Sequence, residues 1–548
     1  MEKELEAEVR AWIDDDPDDE TRAQLVAALA TNNEVQLRSW FAGFLEFGTA
    51  GLRGPMGPGP SQMNRAVVGR TALGLAAYMK ERGLTSIAIG YDARHRSYRF
   101  ALDTAELMVG AGIAAHVMPR TLPTPLLAFA VNHLGVDAGV MVTASHNPPA
   151  DNGYKVYLGG IVDGIEYRGS QIVSPADAQI ADKIATISSL MSAPRSNSWK
   201  TIDESVIEAY HVATLRLASP GKKDLRTVHT ALHGVGTETF LKVSESAGFS
   251  SVISVPEQAE PDADFPTVAF PNPEEKGAID LAIALAIREE ADLVIANDPD
   301  ADRCAAAFFD REIGAWRMFR GDEVGAILGE MIARGKKPTP HFANSIVSSS
   351  WLGKIAQHHN IAFNETLTGF KWITKVDGLS YGYEEALGYC VDPDTVNDKD
   401  GISAGLKLME IAAALKSIGK TFNDLLDELA VRDGVYLTDQ VSIRVSDINF
   451  ITLKMKAIRT TPPHTLGEDP LTHYEDLALG AHLPPTDGLR FETSRSRLII
   501  RPSGTEPKLK CYLEVVIPVS SDGLVAAKEV ARQVMAALKA TTTALLAD

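Results

Sequence analysis

The 548-residue sequence has only three cysteines, Cys304, Cys390 and Cys511, far apart and with no C-x-x-C pair. That scarcity argues against a disulfide scaffold or a cysteine zinc site and fits a reducing compartment. Long apolar runs are also missing. The nearest, LAIALAI at 281–287, falls well short of the roughly 18 residues of a spanning helix. The N-terminal stretch MEKELEAEVRAWIDDDPDDE has neither a basic n-region nor an apolar core, so no secretory signal is expected and the predicted location is cytoplasmic. Positive charge is in deficit: 53 Lys+Arg stand against 72 Asp+Glu, a net charge of −19. Nucleic acid and anionic membranes both require a basic footprint, so neither is an expected partner. The same field repels anionic substrates, and any phosphate site must be a local basic cluster.

What remains is an ordinary globular composition, 45% apolar and 23% charged. The length implies three or four domains, at about 150 residues each. The first 45 residues read as amphipathic helix broken near Pro17, followed by a Gly/Pro-dense stretch from Gly48 to Pro60. Short apolar runs then alternate with helical periodicity. SIAIG (86–90), IAAHVM (113–118) and AGVMVTA (138–144) read as strands; RFALDTAELMVGAG (99–112) and TPLLAFAVNHLG (124–135) read as helices. This alternation predicts βαβ units and a mainly parallel sheet.

The rhythm restarts at TVHTALHGVG (227–236) and continues through helix 278–290 into strand DLVIAND (292–298). A polar segment, SPADAQIADKIATISSLMSAPRSNSW, separates the two blocks. A third block holds ANSIVSSSWLGKIAQHHN. The last is richer in β-branched residues (VSIRV, RLIIRPSGT, CYLEVVIPV) and ends in helix AAKEVARQVMAALKA. The expected division is 1–220, 221–319, 320–436 and 437–548, a multi-domain α/β protein.

The chemically dense segments fall at strand ends, where open α/β sheets bind ligands. In TASHNPPADNGYK (143–155), Ser145 stands beside His146, with Lys155 ten residues on. A nucleophilic serine needs a neighbouring base and cationic help; G-x-S-x-G is absent, which weakens an esterase reading. In NDPDADR (297–303), Asp298, Asp300 and Asp302 occur at every second residue around Pro299. Carboxylates so crowded repel one another unless a hard cation sits among them. An EF-hand is rejected, because its sixth and twelfth positions would be Arg303 and Phe309 instead of Gly and Glu. Few protein ligands and room for a phosphate oxygen favour Mg²⁺ over Ca²⁺.

RPSGTEPK (501–508) offers the Arg501 fork, the Ser503 and Thr505 hydroxyls and the Gly504 backbone, suited to a phosphate dianion, with Lys508 and Lys510 adding charge. Arg53 lies in a glycine-rich loop, and Asp92 and Arg94 follow a strand. TLTGFKW supplies Thr368, Gly369 and Lys371; YGYEEALGY pairs Glu384 with Glu385, able to accept from vicinal sugar hydroxyls. One serine beside one metal suggests phosphoryl transfer, with cations offsetting the nearly double charge of a phosphoserine.

With these segments in order, the chain resembles the α-D-phosphohexomutases, the phosphoglucomutase/phosphomannomutase superfamily, from about Phe47 to Lys510. The resemblance implies four domains around a central cleft, three related α/β domains and a smaller C-terminal α+β domain, each giving one loop. It makes Ser145 the phosphoserine, and Asp298, Asp300 and Asp302 the Mg²⁺ ligands together with its phosphate. Glu384 would lie in the sugar-reading loop, and Arg501, Ser503, Gly504 and Thr505 would hold the non-reacting phosphate. Arg53, His146, Lys155, Arg303 and Lys371 match positions lining or supporting the reaction centre. The implied reaction is reversible phosphoryl transfer through a bisphosphorylated sugar such as glucose 1,6-bisphosphate. Lys371, Lys155 and His146 all stand as acid/base candidates.

One departure bears on substrate. Many members carry Glu-Glu-Ser in the sugar loop, where this chain has Glu384-Glu385-Ala386, removing one hydroxyl from the reading set. With TGFKW and DKDG (398–401), this resembles a branch holding both phosphoglucomutases and phosphopentomutases. The expected substrates are glucose and then mannose phosphates, with ribose or deoxyribose phosphates as the alternative. A phosphatase would have no use for a cradle that rebinds a second orientation. A non-catalytic sensor would be expected to have lost the serine or an aspartate. The acidic N-terminal 45 residues match no chemistry, and packing against the first domain is their expected role.

Overall fold

The computed structural model describes residues 3–46, 51–335, 340–445, 448–503 and 508–547. It is a mixed α/β fold of two compact units. The first holds Met1–Phe309, Trp316–Met318 and Gly388–Ala413; the second holds Asp310–Ala315, Phe319–Leu387 and Ala414–Asp548. Among the described residues no helix is long and apolar enough to cross a membrane.

In the first unit, strand Ser86–Tyr91 runs parallel to Ala114–Val117 on one side and to Ala138–Val142 on the other. Ile87, Ala88 and Ile89 are fully buried, as a strand covered by helices on both faces requires. Helices Ser97–Gly110 and Thr124–His133 are the crossovers. The sheet then turns antiparallel: Asp151–Leu158 pairs with Ala138–Val142 and with Leu52–Pro55. Gly153 is required at that hairpin, since a Cβ there would lie 2.5 Å from the Thr143 carbonyl.

A second sheet orders Phe249–Ser254, Lys223–Thr230 and Leu293–Asn297 in parallel, and Cys304–Asp310 returns antiparallel to Leu293–Asn297. The register pairs Asn297 with Cys304, so residues 298–303 form the turn between two buried strands. Where the rhythm restarts, strand Lys223–Thr230 ends short of the 227–236 segment's glycines, and Leu232 and His233 beyond it take left-handed backbone angles. The polar segment after residue 173 is more than a spacer. It contains helix Ala176–Ala185, whose Ile180 is fully buried. At the N-terminus, helices Lys3–Asp15, Asp19–Ala30 and Glu34–Trp40 bury Val9, Leu25 and Leu37. The predicted break near Pro17 is present, with Asp18 capping the second helix through the Glu20 amide.

In the second unit, His341–Ser345 lies parallel to Ala362–Thr366 and Leu379–Glu384. A separate antiparallel sheet orders Val435–Arg444, Lys508–Ile517, Ser496–Pro502, Leu489–Glu492 and His473–Asp476. Helix Gly523–Leu546 covers it, burying Ala527, Ala531, Met535, Leu538, Thr542 and Leu546 at helical spacing along one stripe.

Candidate active site

Ser145 lies in the turn that leaves strand Ala138–Val142, buried, with a left-handed φ of 52°. Its hydroxyl donates to Asp298 Oδ2 at 2.6 Å and lies 3.1 Å from His146 Nδ1. A hydroxyl has one proton, so with it given to Asp298 the serine oxygen can only accept from His146 Nδ1–H. Burial, then the Arg303 and Arg53 guanidinium groups, push the His146 imidazole well below its ordinary pKa and keep it neutral. Arg53 itself donates to Asn147 Oδ1 at 3.1 Å.

The serine turn is shaped by Arg94. Its guanidinium, with a side chain 1% exposed, donates to four carbonyls: Ser145 at 2.6 Å, Asn147 at 2.5 Å, Pro148 at 2.7 Å and Asp151 at 3.1 Å. Asp92 fixes Arg94 in turn, accepting from its backbone N–H at 3.0 Å. The sequence reading paired Asp92 with Arg94 but assigned Arg94 no role; a buried arginine two residues after a strand-end aspartate is the signal that was there.

Asp298, Asp300 and Asp302 are fully buried and offer oxygens that all lie within 4.8 Å of one another. Lys155 Nζ donates to Asp300 Oδ2 at 2.7 Å and to Asp302 Oδ2 at 2.8 Å. Lys399 Nζ stands 3.4 Å from Asp302 Oδ2, and Thr124 ties Asp300 twice, through Oγ1 at 2.5 Å and its amide at 2.9 Å. Neither Lys399 nor Thr124 was singled out from the sequence. The loop is closed behind by Asn297, which donates to the Arg303 carbonyl at 2.7 Å, while the Arg303 amide donates to Asp298 Oδ1 at 3.1 Å.

Charge in this cluster is unevenly held. Burial raises the Asp298 carboxyl, Asp300 and Asp302 add to it, and it is pushed up to about 8. Burial would raise Asp302 too, but Lys155, Lys399 and Arg303 outweigh it and hold that carboxyl well below the usual range. Asp300 Oδ1 and Asp302 Oδ1 are buried with no hydrogen-bond partner, an arrangement that costs free energy unless another ligand is bound. Three clustered carboxylates with two unsatisfied oxygens suit a hard divalent cation, so this donor set could hold a metal ion.

The second unit carries the remaining candidates, on two separate sheets. Gly369, with φ 117°, donates its amide to Glu384 Oε1 at 2.7 Å, and Lys371 is buried in the short helix Phe370–Ile373 next to it. Thr368 is half-buried in the preceding loop. The paired glutamates differ. Glu384 ends strand Leu379–Glu384, while the Glu385 carboxylate accepts from the Ser345 and Ser348 hydroxyls at 3.3 and 3.1 Å. Arg501 and Ser503 are half-buried at the end of strand Ser496–Pro502. Arg501 and Lys510 are direct cross-strand partners, a like-charge pairing that favours a bound anion. Gly504 and Thr505 lie outside the described residues, as does Phe47.

Family sequence models match the whole succession: phosphoglucomutase/phosphomannomutase α/β/α domain I at residues 45–190, domain II at 208–311, domain III at 320–432 and the C-terminal domain at 455–531. A probable phosphomannomutase of Haemophilus influenzae is 48% identical over 463 residues, covering 82% of this chain and 93% of that protein. The phosphopentomutase of Homo sapiens is 33% identical over 584 residues, covering 94% and 92%. The crystal structure of pp63/parafusin, a phosphoglucomutase from Paramecium in its open form, has the same fold. It aligns with a TM-score of 0.68 at 17% identity, over 91% of this chain and 95% of that one. Four domains in this order define a class of isomerases that act as phosphotransferases on sugars. The chain belongs to the phosphoglucomutase/phosphomannomutase family.

Proposed function

We propose that this phosphosugar mutase interconverts hexose 1-phosphate and hexose 6-phosphate, glucose first and mannose second, through phosphorylated Ser145 and a bisphosphorylated sugar. The observation that carries the reading is the Ser145 hydroxyl 2.6 Å from Asp298, inside a buried three-carboxylate cluster and beside a neutral histidine. In the first half-reaction the Ser145 Oγ–P bond breaks as a sugar O–P bond forms, and the sugar hydroxyl's proton passes to a base. The second half-reaction runs in reverse on the sugar's other phosphate. Such chemistry depends on positioning and charge more than on a strong base. Lys155, His146 and Lys371 are the candidates for the proton.

Asp298, Asp300 and Asp302, with the Ser145 phosphate, would hold Mg²⁺, which supplies charge neutralisation for the transferring phosphoryl group. Arg53 and Arg303 face the same centre. Thr368, Gly369, Glu384 and Glu385 are assigned to sugar recognition, and Arg501, Ser503, Gly504, Thr505 and Lys510 to the non-reacting phosphate. In domain terms the serine loop belongs to 1–220, the metal loop to 221–319, the sugar loop to 320–436 and the phosphate loop to 437–548. A sugar bisphosphate such as glucose 1,6-bisphosphate serves as activator. Three buried cysteines fit a cytoplasmic enzyme.

A pentose reading is favoured by one feature, Ala386 in place of the sugar-loop serine, together with the likeness to a human phosphopentomutase. The deciding experiment compares kcat/KM for glucose 1-phosphate, mannose 1-phosphate and ribose 1-phosphate, with Mg²⁺ and a trace of the matching bisphosphate. A hexose preference upholds the proposal. A ribose preference replaces it with a phosphopentomutase.

A further inference from the structure

The N-terminal helices carry no site residue, yet they are fastened to the domain behind the serine turn by three arginines. Arg70 donates to Asp15 Oδ2 at 2.5 Å, and Asp15 also accepts from the Leu190 amide at 2.8 Å. Arg65 donates to the Pro17 carbonyl at 3.3 Å while gripping Asp103 at 2.7 Å. Arg96 is held by Asp18 and Glu20, the first turn of helix Asp19–Ala30. These three arginine anchors all fall on residues 15–20, around Pro17, while Ser61 separately donates to the Ser39 and Trp40 carbonyls.

The third anchor reaches the chemistry. Arg96 occupies left-handed backbone, φ 67° and ψ −4°, at the start of helix Ser97–Gly110, and its side chain caps nothing there. A non-glycine residue keeps that conformation only where its surroundings over-determine it. What holds Arg96 is a pair of ion pairs, with Asp18, whose side chain is 11% exposed, and with the more exposed Glu20. Two residues earlier in the same loop stands Arg94, whose four bonds to the carbonyls of residues 145–151 shape the turn bearing Ser145. The loop is braced from the other end as well, since Asn152 donates to the His95 carbonyl at 2.9 Å and to Ser97 Oγ at 3.0 Å.

We propose that Asp18 is a positioning residue for phosphoryl transfer: through Arg96 it holds the 92–97 loop in the form that lets Arg94 set the backbone of Ser145. The N-terminal segment is then a brace for the reaction centre. This rests on Ser145 as the phosphoryl carrier, and adds a residue more than a hundred positions away in sequence.

The test uses the full chain. Asp18→Asn keeps the cap on the Glu20 amide but removes the more buried of the two carboxylate charges facing Arg96, leaving Glu20. The expected result is a fall of about tenfold in kcat for glucose 1-phosphate, the scale of a small misplacement of a reacting group. Sugar-phosphate KM, Mg²⁺ dependence and melting temperature stay near those of the parent. Amide hydrogen exchange over 143–153 becomes faster. Adding Asp18→Asn to Arg96→Ala should cost nothing beyond Arg96→Ala alone, because both cut one connection. An unchanged kcat, unchanged exchange over 143–153, or additive losses in the double variant would overturn the proposal. If exchange rises while kcat holds, and Ser145→Ala also keeps its rate, the fault lies in the reading of Ser145.

Discussion

Lys155 donates to Asp302 Oδ2 at 2.8 Å, so a cation of the chain itself balances part of the buried carboxylate cluster. Burial opposes charge on this lysine, but Asp300 and Asp302 outweigh it and hold its pKa above the ordinary value. The protein thereby keeps three adjacent aspartates folded at the cost of one committed lysine.

Removing that lysine tests the balance. Lys155→Met removes the cation that the two buried carboxylates share, leaving Asp302 to Lys399 and Asp300 to the Thr124 hydroxyl, and should cost about 3–5 kcal/mol in metal-free protein. Added Mg²⁺ should then raise the melting temperature by more than it does for the parent. Thermal melts with and without Mg²⁺ measure both; an equal Mg²⁺ increment in the two proteins would show that Lys155 is not the compensating charge.

Ser145→Ala should abolish mutase turnover with the fold intact. The stability loss should be modest, about 1–3 kcal/mol, from the Asp298 oxygen left unpaired. A coupled assay and a circular dichroism melt read the two effects separately. Near-normal turnover would end the phosphoserine mechanism.

A pH effect is expected from Asp322 in the second unit. Its buried carboxylate accepts from the Ser349 amide at 2.7 Å and from the Tyr383 hydroxyl at 2.9 Å. Burial pushes the pKa up, the Ser349 amide works against it, the Glu514 charge adds to it, and the result is about 6 against an ordinary 3.8. The folded state therefore holds this proton more tightly than the unfolded chain. The stability it contributes is fully present below about pH 4 and is lost as pH rises through about 6, roughly 3 kcal/mol in all. Asp322→Asn cannot titrate, so its urea-denaturation stability should change less between about pH 4 and pH 7 than that of the parent. Identical slopes would refute the assignment.

Ala386→Ser restores the missing hydroxyl in the sugar loop. It should raise kcat/KM for glucose 1-phosphate relative to ribose 1-phosphate by roughly fivefold, the worth of about one hydrogen bond. Parallel assays of the two sugars check it, and an unchanged ratio would place discrimination elsewhere.

Local chemistry made much of this legible. The strand at 86–90 was visible because buried parallel strands are apolar without alternation, and it runs Ser86–Tyr91 in the structure. Asp298, Asp300 and Asp302 were visible because three carboxylates at every second position after such a strand have few other uses. What stayed hidden acts across long separations. Arg94 reads as one more surface arginine until the fold sets it against carbonyls about 50 residues away. Thr124 looks like an ordinary helix start, yet binds Asp300 across 176 positions. Helix Ala176–Ala185 was obscured by its polar composition. It is accommodated partly because Gly74 has no side chain, a Cβ there lying 2.4 Å from Ile184. The N-terminal brace had no motif at all, since an ion pair leaves no periodic trace.

The left-handed backbone at Ser145 also restricts which amino acid can serve as carrier. Threonine has the same hydroxyl and accepts a phosphoryl group equally well, but its branched Cβ is poorly tolerated at a φ of 52°. A genetic screen for revertants at this position would therefore be expected to return serine and not threonine. The constraint on the nucleophile is stereochemical before it is chemical.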